Sequence, residues 1–463
     1  MNQALFTLLQ ACAWIPGSSL VGQGSTAVHR VHSDSRSLKS GDLFVALKGE
    51  KFDGHDFLKQ LKALGVYAAM AEHGLSEHGL SGLIVANTRV ALGQLAQGYR
   101  ACLPLQQLIA VTGSNGKTTV TQMLASILRE HCGAAASWTQ GNFNNEIGVP
   151  LTLLRLREHH QCAVIELGMN HPGEIEQLAQ WAQPTVALVN NAQREHQEFM
   201  HTVQAVAQEN GAVLSALPSH GVAVFPADDE HTALWRALAK GRRCMTFGER
   251  GDVRLAHAKS QISGWQAALH GSMIEGELAF ELAMPGRHNL HNAMAAATCA
   301  LAAGISGAAI AQGLRAFEPV SGRSQALRLQ LQHKSLTLVD DTYNANPDSV
   351  RAAIDVLAQL PAPQLLILGD MGEVGDQGPQ FHAEVGSYAQ QQGIEHVLTH
   401  GGMAALAAQA HGGAHHHDDL DDLCREADLL CQQVSSILVK GSRFMKMERV
   451  VQHLKQTQEN TPC

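Results

Sequence analysis

The segment Thr112-Gly113-Ser114-Asn115-Gly116-Lys117-Thr118-Thr119 follows the apolar run Leu108-Ile109-Ala110-Val111. Strand, glycine-bearing loop and helix in that order suit a triphosphate. Glycines let backbone N–H groups approach phosphate oxygens, and the helix start carries a partial positive charge. Lys117 would reach the outer phosphates and the Thr118 hydroxyl a magnesium ion. The helix is legible in Val120, Met123, Leu124, Ile127 and Leu128, which recur on one face. The loop is shorter than G-x-x-x-x-G-K-[ST], because position 111 is Val and the first glycine is Gly113. ATP is the expected ligand, with Mg2+ beside it.

Further candidates stand at the ends of other apolar runs. Glu166 ends Cys162-Ala163-Val164-Ile165 and precedes Leu167-Gly168. A carboxylate there, across the sheet from the loop, suits magnesium, although a helix-capping acid would show the same pattern. His196 lies beyond the run ending at Asn190, within Gln193-Arg194-Glu195-His196-Gln197-Glu198-Phe199. A lone histidine is more often structural than a metal ligand. Thr139 to Gly148, with Asn142, Asn144 and Asn145, is polar and suits a cleft wall or an ordinary loop equally.

Three segments position these residues. Residues 1–103 mix short strands with helix and include Ser33-Asp34-Ser35-Arg36 and Gly41-Asp42-Leu43-Phe44-Val45-Ala46-Leu47. Residues 104–319 alternate β-like runs with helical stretches, the mark of a parallel α/β sheet wrapped by helices. Residues 320–463 repeat the alternation with Leu336–Asp340, Leu365–Asp370, His396–Thr399 and Ile437–Lys440. The expected fold is α/β in three domains: a small mixed N-terminal unit, a central parallel-sheet ATPase unit and a C-terminal Rossmann-like unit. Ligands in open α/β sheets gather at the carboxyl ends of strands. Glu166, Asn190, Asp340, Asp370 and Lys440 occupy such ends.

At 463 residues the chain exceeds what one core usually organises. A net charge of -9 gives no footprint for nucleic acid. No apolar stretch is long enough for a membrane span, and no charged region precedes an apolar leader. Nine cysteines are scattered without a C-x-x-C pair, so neither a disulfide framework nor a zinc site is expected and a reducing cytoplasm fits. His415-His416-His417 reads as a solvated loop rather than a metal tract. A monomer is expected.

Together the motifs resemble the Mur ligase superfamily, ATP-dependent amide ligases that build the bacterial cell-wall peptide. The matching pieces are Thr112 to Thr119, Gly141-Asn142-Phe143-Asn144-Asn145, Glu166-Leu167-Gly168, His196 and Pro285-Gly286-Arg287-His288-Asn289 with Asn292. They continue with Gly322-Arg323, Asp340-Asp341-Thr342-Tyr343-Asn344-Ala345-Asn346-Pro347, Gly369-Asp370-Met371-Gly372-Glu373 and Lys440-Gly441-Ser442-Arg443. The last three elements resemble the branch that adds a dipeptide, and Leu43 to Gly54, with Phe44-Val45-Ala46-Leu47-Lys48-Gly49-Glu50, resembles its nucleotide-sugar-binding first domain. The resemblance implies UDP-N-acetylmuramoyl-tripeptide and D-alanyl-D-alanine as substrates, joined through an acyl phosphate.

By that resemblance Gly113, Ser114, Asn115, Gly116, Lys117, Thr118 and Thr119 would hold the ATP phosphates. Thr118, Glu166 and His196 would place magnesium, and Asn289 and Asn292 would sit near adenine. Arg323 and Asp341 would contact phosphate and ribose, with Lys117, Glu166, His196 and Arg323 as the catalytic set. Ser33, Asp34, Ser35, Arg36, Lys48, Asn142, Asn145, Asn344 and Asn346 would contact substrate. The family commonly has a lysine fourteen residues after the histidine matched by His196, carbamylated beside the second metal; here that position is Asn210. Asn can offer a carbonyl oxygen to a metal but no charge, so either Glu209 or a water network would take over, or the second magnesium would be managed differently. Three rivals remain. A sibling adding a single amino acid would be expected to show a D-N-P-R-type element in the third domain, which is not found. A folylpolyglutamate synthase has no domain like residues 31–57. A regulatory nucleotide-binding module could keep the loop and lose catalysis.

A loop lysine on the transferred phosphate acts mainly in the transition state. Lys117→Ala is therefore expected to lose about 10³-fold in kcat. Near-normal turnover would remove the phosphate-loop assignment.

Overall fold

The structure is a computed structural model that describes residues 4–49, 51–261, 264–331 and 334–459; Glu50 of the first-domain motif lies outside the described residues. The phosphate-loop strand, Gln107–Thr112, sits between Cys162–Glu166 and Val186–Val189, and all three run parallel. Their register pairs Glu166 with Val111 and Val189 with Thr112. The strands therefore end level, and the loop after Thr112 emerges between Glu166 and Asn190. Ala136–Trp138, Val222–Pro226 and Arg243–Phe247 extend the parallel part. Helix Lys117–Cys132 packs on this sheet through Val120, Met123, Leu124, Ile127 and Leu128, all buried, as the periodicity requires.

The central sheet is parallel around the phosphate loop, as expected, and changes character beyond Arg243–Phe247. Val253–Gln261, Gly264–Gly271 and Leu278–Leu282 continue it as an antiparallel meander, giving nine strands. One-sided burial explains the change: Leu278, Phe280 and Leu282 are buried while Ala279 and Glu281 are exposed, so the run alternates.

The first unit has a five-stranded sheet ordered Ser19–Val21, Ser81–Ile84, Ala68–Ala71, Asp42–Val45, Arg30–His32, antiparallel only at Ser19–Val21. The last unit has six strands: Gln325–Gln330, Ser335–Asp341, Ser436–Lys440, Gln364–Gly369, His396–His400 and His415–His417, antiparallel only at Gln325–Gln330. The histidine run is thus an edge strand rather than the expected loop. His415 and His417, on one face of that strand, reach the two oxygens of Glu426 at 2.5 and 2.7 Å. Among the described residues no helix is long and apolar enough to cross a membrane.

The units meet through different chemistry. The first and central units share one apolar cluster running from Phe6 through Leu92 and Tyr99 to Leu178 and Trp181. Gly93 lies so close to Trp181 that an added Cβ would sit 2.1 Å from its ring. The third unit's apolar clusters, among the described residues, include nothing from the other two. It docks instead by polar contacts. Arg194 forks onto Asp348 at 2.6 Å and Glu384 at 2.8 Å, and Asn346 Nδ2 donates to Asn115 Oδ1 at 2.9 Å. His196 stands 2.8 Å from Glu373. An apolar seam resists opening, whereas a polar one exchanges its bonds for water at little net cost.

The Arg194 guanidinium holds Glu384 below its ordinary pKa of 4.5, and His196 does the same to Glu373. A depressed carboxylate contributes fully above its ordinary pKa and loses that contribution as the pH falls through the lowered value. The third unit is therefore expected to stay docked at neutral pH and to swing out in acid, read as a rising radius of gyration by X-ray scattering. Arg194→Ala should produce the same expansion at neutral pH, and an unchanged radius would overturn the clamp.

Candidate active site

The loop from Gly113 to Thr119 is held by side-chain amides rather than by packing. Asn191 Oδ1 accepts the Asn115 N–H at 2.9 Å, and Asn190 Nδ2 donates to the Asn115 carbonyl at 2.8 Å. The Ser114 hydroxyl accepts from the Gln193 N–H at 2.8 Å. Asn210 Oδ1 accepts from both Thr112 Oγ1, at 2.6 Å, and the Gly113 N–H, at 3.1 Å. Gly113 and Gly116 have φ of +130° and +83°. A Cβ at Gly116 would stand 2.4 Å from Asn292 Oδ1, so glycine is required for conformation and for space.

The loop opens onto a cleft of about 770 Å3 lined from both the central and the third units. Ser114, Asn115, Gly116, Lys117, Thr118, Thr119, Asn142, Asn145, Glu166, His196, Asn289, Asn292, Arg323, Asp341, Asn344 and Asn346 all line it. Gly113 lies behind the lining as the hinge of the loop. Ser33, Asp34, Ser35, Arg36 and Lys48 are not among the lining residues. Asp34 is spent on Arg36, which holds its carboxyl far below the usual range. The Lys48 carbonyl accepts from Arg89, which also pairs with Glu146 on the cleft wall.

The functional polar groups divide into engaged and open ones. Asn144 donates to Glu166 Oε1 at 2.8 Å, which leaves Glu166 Oε2 buried without a hydrogen-bond partner. A buried carboxylate oxygen without a partner is costly, and a divalent cation would satisfy it. Among the described residues no three His, Cys, Asp or Glu side chains converge as a ready-made metal cage. That arrangement fits magnesium, which keeps waters and phosphate oxygens and takes few protein ligands. Thr118, Glu166 and His196 all face the cleft where such an ion would sit.

His196 adopts a left-handed backbone (φ 48°) and faces Glu373, also left-handed (φ 57°), across the boundary between units. Their 2.8 Å contact lies off the line a hydrogen bond needs. Non-glycine residues in this region cost of order 1 kcal/mol or more and cluster at functional sites. On the third unit, Arg323 lies 3.9 Å over the Tyr343 ring, and Lys440 Nζ donates to Asp341 Oδ2 at 2.6 Å.

Some expected contacts are already committed inside the protein. Asn289 donates to the Pro285 carbonyl, Asn292 donates to Asn289, and Asn190 donates to Asn292, so this amide chain braces the loop. Asn145 and Asn346 accept from the Gly148 and Ser349 N–H groups as helix caps. Of the polar strand ends, Glu166 and Lys440 line the cleft, whereas Asp340 and Asp370 hold backbone N–H groups of Gly322 and Ala404.

The expectation for Glu209 is overturned. Its two oxygens accept from the Gly173 and Ile175 N–H groups at 2.8 Å each, capping helix Glu174–Ala182 away from the cleft lining. Asn210 offers no oxygen to a metal either, because Oδ1 is taken by the loop. Glu195 is a site residue that the sequence did not single out. For Glu195, the only signal was adjacency to His196.

Residues 27–100 match the family described as Mur ligase family, catalytic domain, residues 111–300 the Mur ligase middle domain, and residues 322–443 the Mur ligase glutamate ligase domain. The chain is 40% identical to the UDP-N-acetylmuramoyl-tripeptide–D-alanyl-D-alanine ligase of Escherichia coli, over 94% of each chain. It superposes on a crystal structure of MurF from Acinetobacter baumannii with a TM-score of 0.90 and 36% identity, covering 97% of this chain and 99% of that one. MurF from Thermotoga maritima in complex with ADP gives a TM-score of 0.81 and 25% identity, over 93% and 98%.

Glu209→Ala strips the buried Ile175 N–H and the part-buried Gly173 N–H of their acceptor and is expected to lower stability by about 1–3 kcal/mol. The magnesium requirement should be unchanged, and a raised requirement would return Glu209 to the metal site.

Proposed function

This chain belongs to the Mur ligase family, and on that premise we infer that it is an ATP-dependent amide ligase joining D-alanyl-D-alanine to UDP-N-acetylmuramoyl-tripeptide, with release of ADP and phosphate. The observation that carries the reading is the shared cleft. The phosphate loop, Glu166 and His196 from the central unit meet Arg323, Asp341 and Lys440 from the third within one cavity.

The chemistry is positioning plus charge neutralisation. A carboxylate oxygen of the tripeptide bonds to the γ-phosphorus of ATP and ADP leaves with its electron pair. The acyl phosphate is then attacked by the dipeptide amine, the C–N bond forms, phosphate departs and the amine releases a proton. The loop amides from Gly113 to Thr119 and the Lys117 ammonium hold the phosphates, and Arg323 meets the charge that develops on transfer. Thr118, Glu166 and His196 would hold magnesium, which would supply positive charge beside the phosphate oxygens. Asn289 and Asn292, braced on Asn190, form the wall beside adenine, and Asp341 faces the ribose with its carboxylate fixed by Lys440.

We divide the labour among three units: 1–103 for the UDP-sugar, 104–319 for ATP, and 320–463 for the dipeptide and the closing ATP contacts. Ser33, Asp34, Ser35, Arg36 and Lys48 meet the nucleotide sugar, and Asn142, Asn145, Asn344 and Asn346 line the path of the peptide. Arg323 and Asp341 reach ATP only with the third unit docked, so the polar seam gates catalysis. Free thiols at the described cysteines and a dependence on ATP suit a cytoplasmic monomer.

Phosphate release is expected to require ATP, the UDP-linked tripeptide and D-alanyl-D-alanine together. Equal rates with a single amino acid in place of the dipeptide, or with the free tripeptide in place of the UDP conjugate, would move the chain to a sibling ligase.

A further inference from the structure

Glu195 is a buried carboxylate, 5% exposed, that lines the cleft with Lys117 and His196. Asn210 Nδ2 donates to its Oε1 at 3.3 Å. The orientation of that amide is not in doubt, because Asn210 Oδ1 accepts from the Gly113 N–H and Nδ2 must face the other way. Oε1 is thereby anchored and Oε2 is turned towards Lys117 Nζ, at 3.1 Å, and His196 Nε2, at 3.9 Å. Lys117 in turn folds back on its own loop, donating to the Gly113 carbonyl at 2.5 Å and the Ser114 carbonyl at 3.1 Å. In this state the ammonium neutralises Glu195 and is not available to a nucleotide.

When a triphosphate enters, Lys117 is drawn to the outer phosphates and Glu195 loses the ammonium that pairs with it at 3.1 Å. A carboxylate left unpaired in a buried site, beside a polyanion, is strongly unfavourable unless a positive charge replaces the one withdrawn. His196 Nε2 stands 3.9 Å from Glu195 Oε2, the oxygen from which the ammonium withdraws. An imidazole nitrogen and a carboxylate oxygen are compatible ligands for one divalent ion whose remaining positions go to phosphate and water oxygens.

Resting on the ligase reading above, we propose that Glu195 exchanges Lys117 for a divalent cation on nucleotide binding and, with His196, holds an ion separate from the one on Glu166. Asn210 is a positioning residue in this arrangement: it anchors both the loop and the far oxygen of Glu195.

The test is a Mn2+ titration of the full-length protein saturated with a non-hydrolysable ATP analogue, with free Mn2+ read by electron paramagnetic resonance. The unmodified protein is expected to take up about two Mn2+ per chain. Glu195→Gln should weaken one site by roughly 10- to 100-fold and leave the other unchanged, and Glu195→Asp should restore part of the loss. In metal-free buffer Glu195→Gln should bind the analogue more tightly than the unmodified protein, because Lys117 is no longer held back. A single Mn2+ in the unmodified protein, which needs no variant to fold, overturns the proposal, as does an unchanged titration in folded Glu195→Gln. Failure to bind the analogue at all overturns the ligase reading and this proposal with it, whereas bound analogue with one Mn2+ overturns only this proposal.

Discussion

A triphosphate's charge must be met by groups already pointing at it, and in this protein the backbone between Thr112 and Lys117 is held ready by amide side chains. Asn190, Asn191 and Asn210 each bond the loop or the residue that opens it, and Asn289 and Asn292 brace Asn190 from behind. Amides suit this work because they carry donors and acceptors without charge. They satisfy the loop's own N–H and C=O groups and add no negative charge to repel a phosphate. Preorganised dipoles in a partly dry cleft are also the most effective electrostatic catalysts, since they need no reorganisation as charge moves. The level ends of three parallel strands put these amides around the loop.

The seam between the central and third units follows from the same requirement. A site that must admit ATP and two further substrates, then exclude water, needs one wall that moves. The shared apolar cluster makes the first and central units a single body for this purpose. The third unit is attached through Arg194, His196 and Asn115, within or close to the segments that form the cation and phosphate sites. Closure and assembly of the site are therefore one event. Arg194 lies two residues from His196, so engaging Asp348 and Glu384 also presents His196 to Glu373.

Carboxylates in this cleft are distinguished by what holds them. Asp341 is fixed by Lys440, Glu373 by His196 and Glu195 by Lys117, whereas Glu166 keeps an oxygen without a partner. Lys117 also folds back on its own loop, so the loop lysine and Glu195 are held together.

The sequence by itself determined the three-part α/β architecture, the phosphate loop, the strands that flank it and the family. These depend on short-range patterns: a glycine-spaced loop after an apolar run, and periodicities of a single helix or strand. It also brought forward many of the residues that line the cleft, some of which, such as Glu166 and Lys440, stand at strand ends. Which of them are free to act was decided only by the tertiary structure. Glu209 and Glu195 are both acidic and both close to Asn210 or His196 in the chain, yet one caps a helix and the other meets Lys117. That difference depends on the direction of each side chain and on partners 34 to 78 positions away, Ile175 and Lys117 respectively. Spacing along a chain carries no record of either. The histidine edge strand and the antiparallel extension escaped for the same reason, since an edge is defined by the neighbour it lacks.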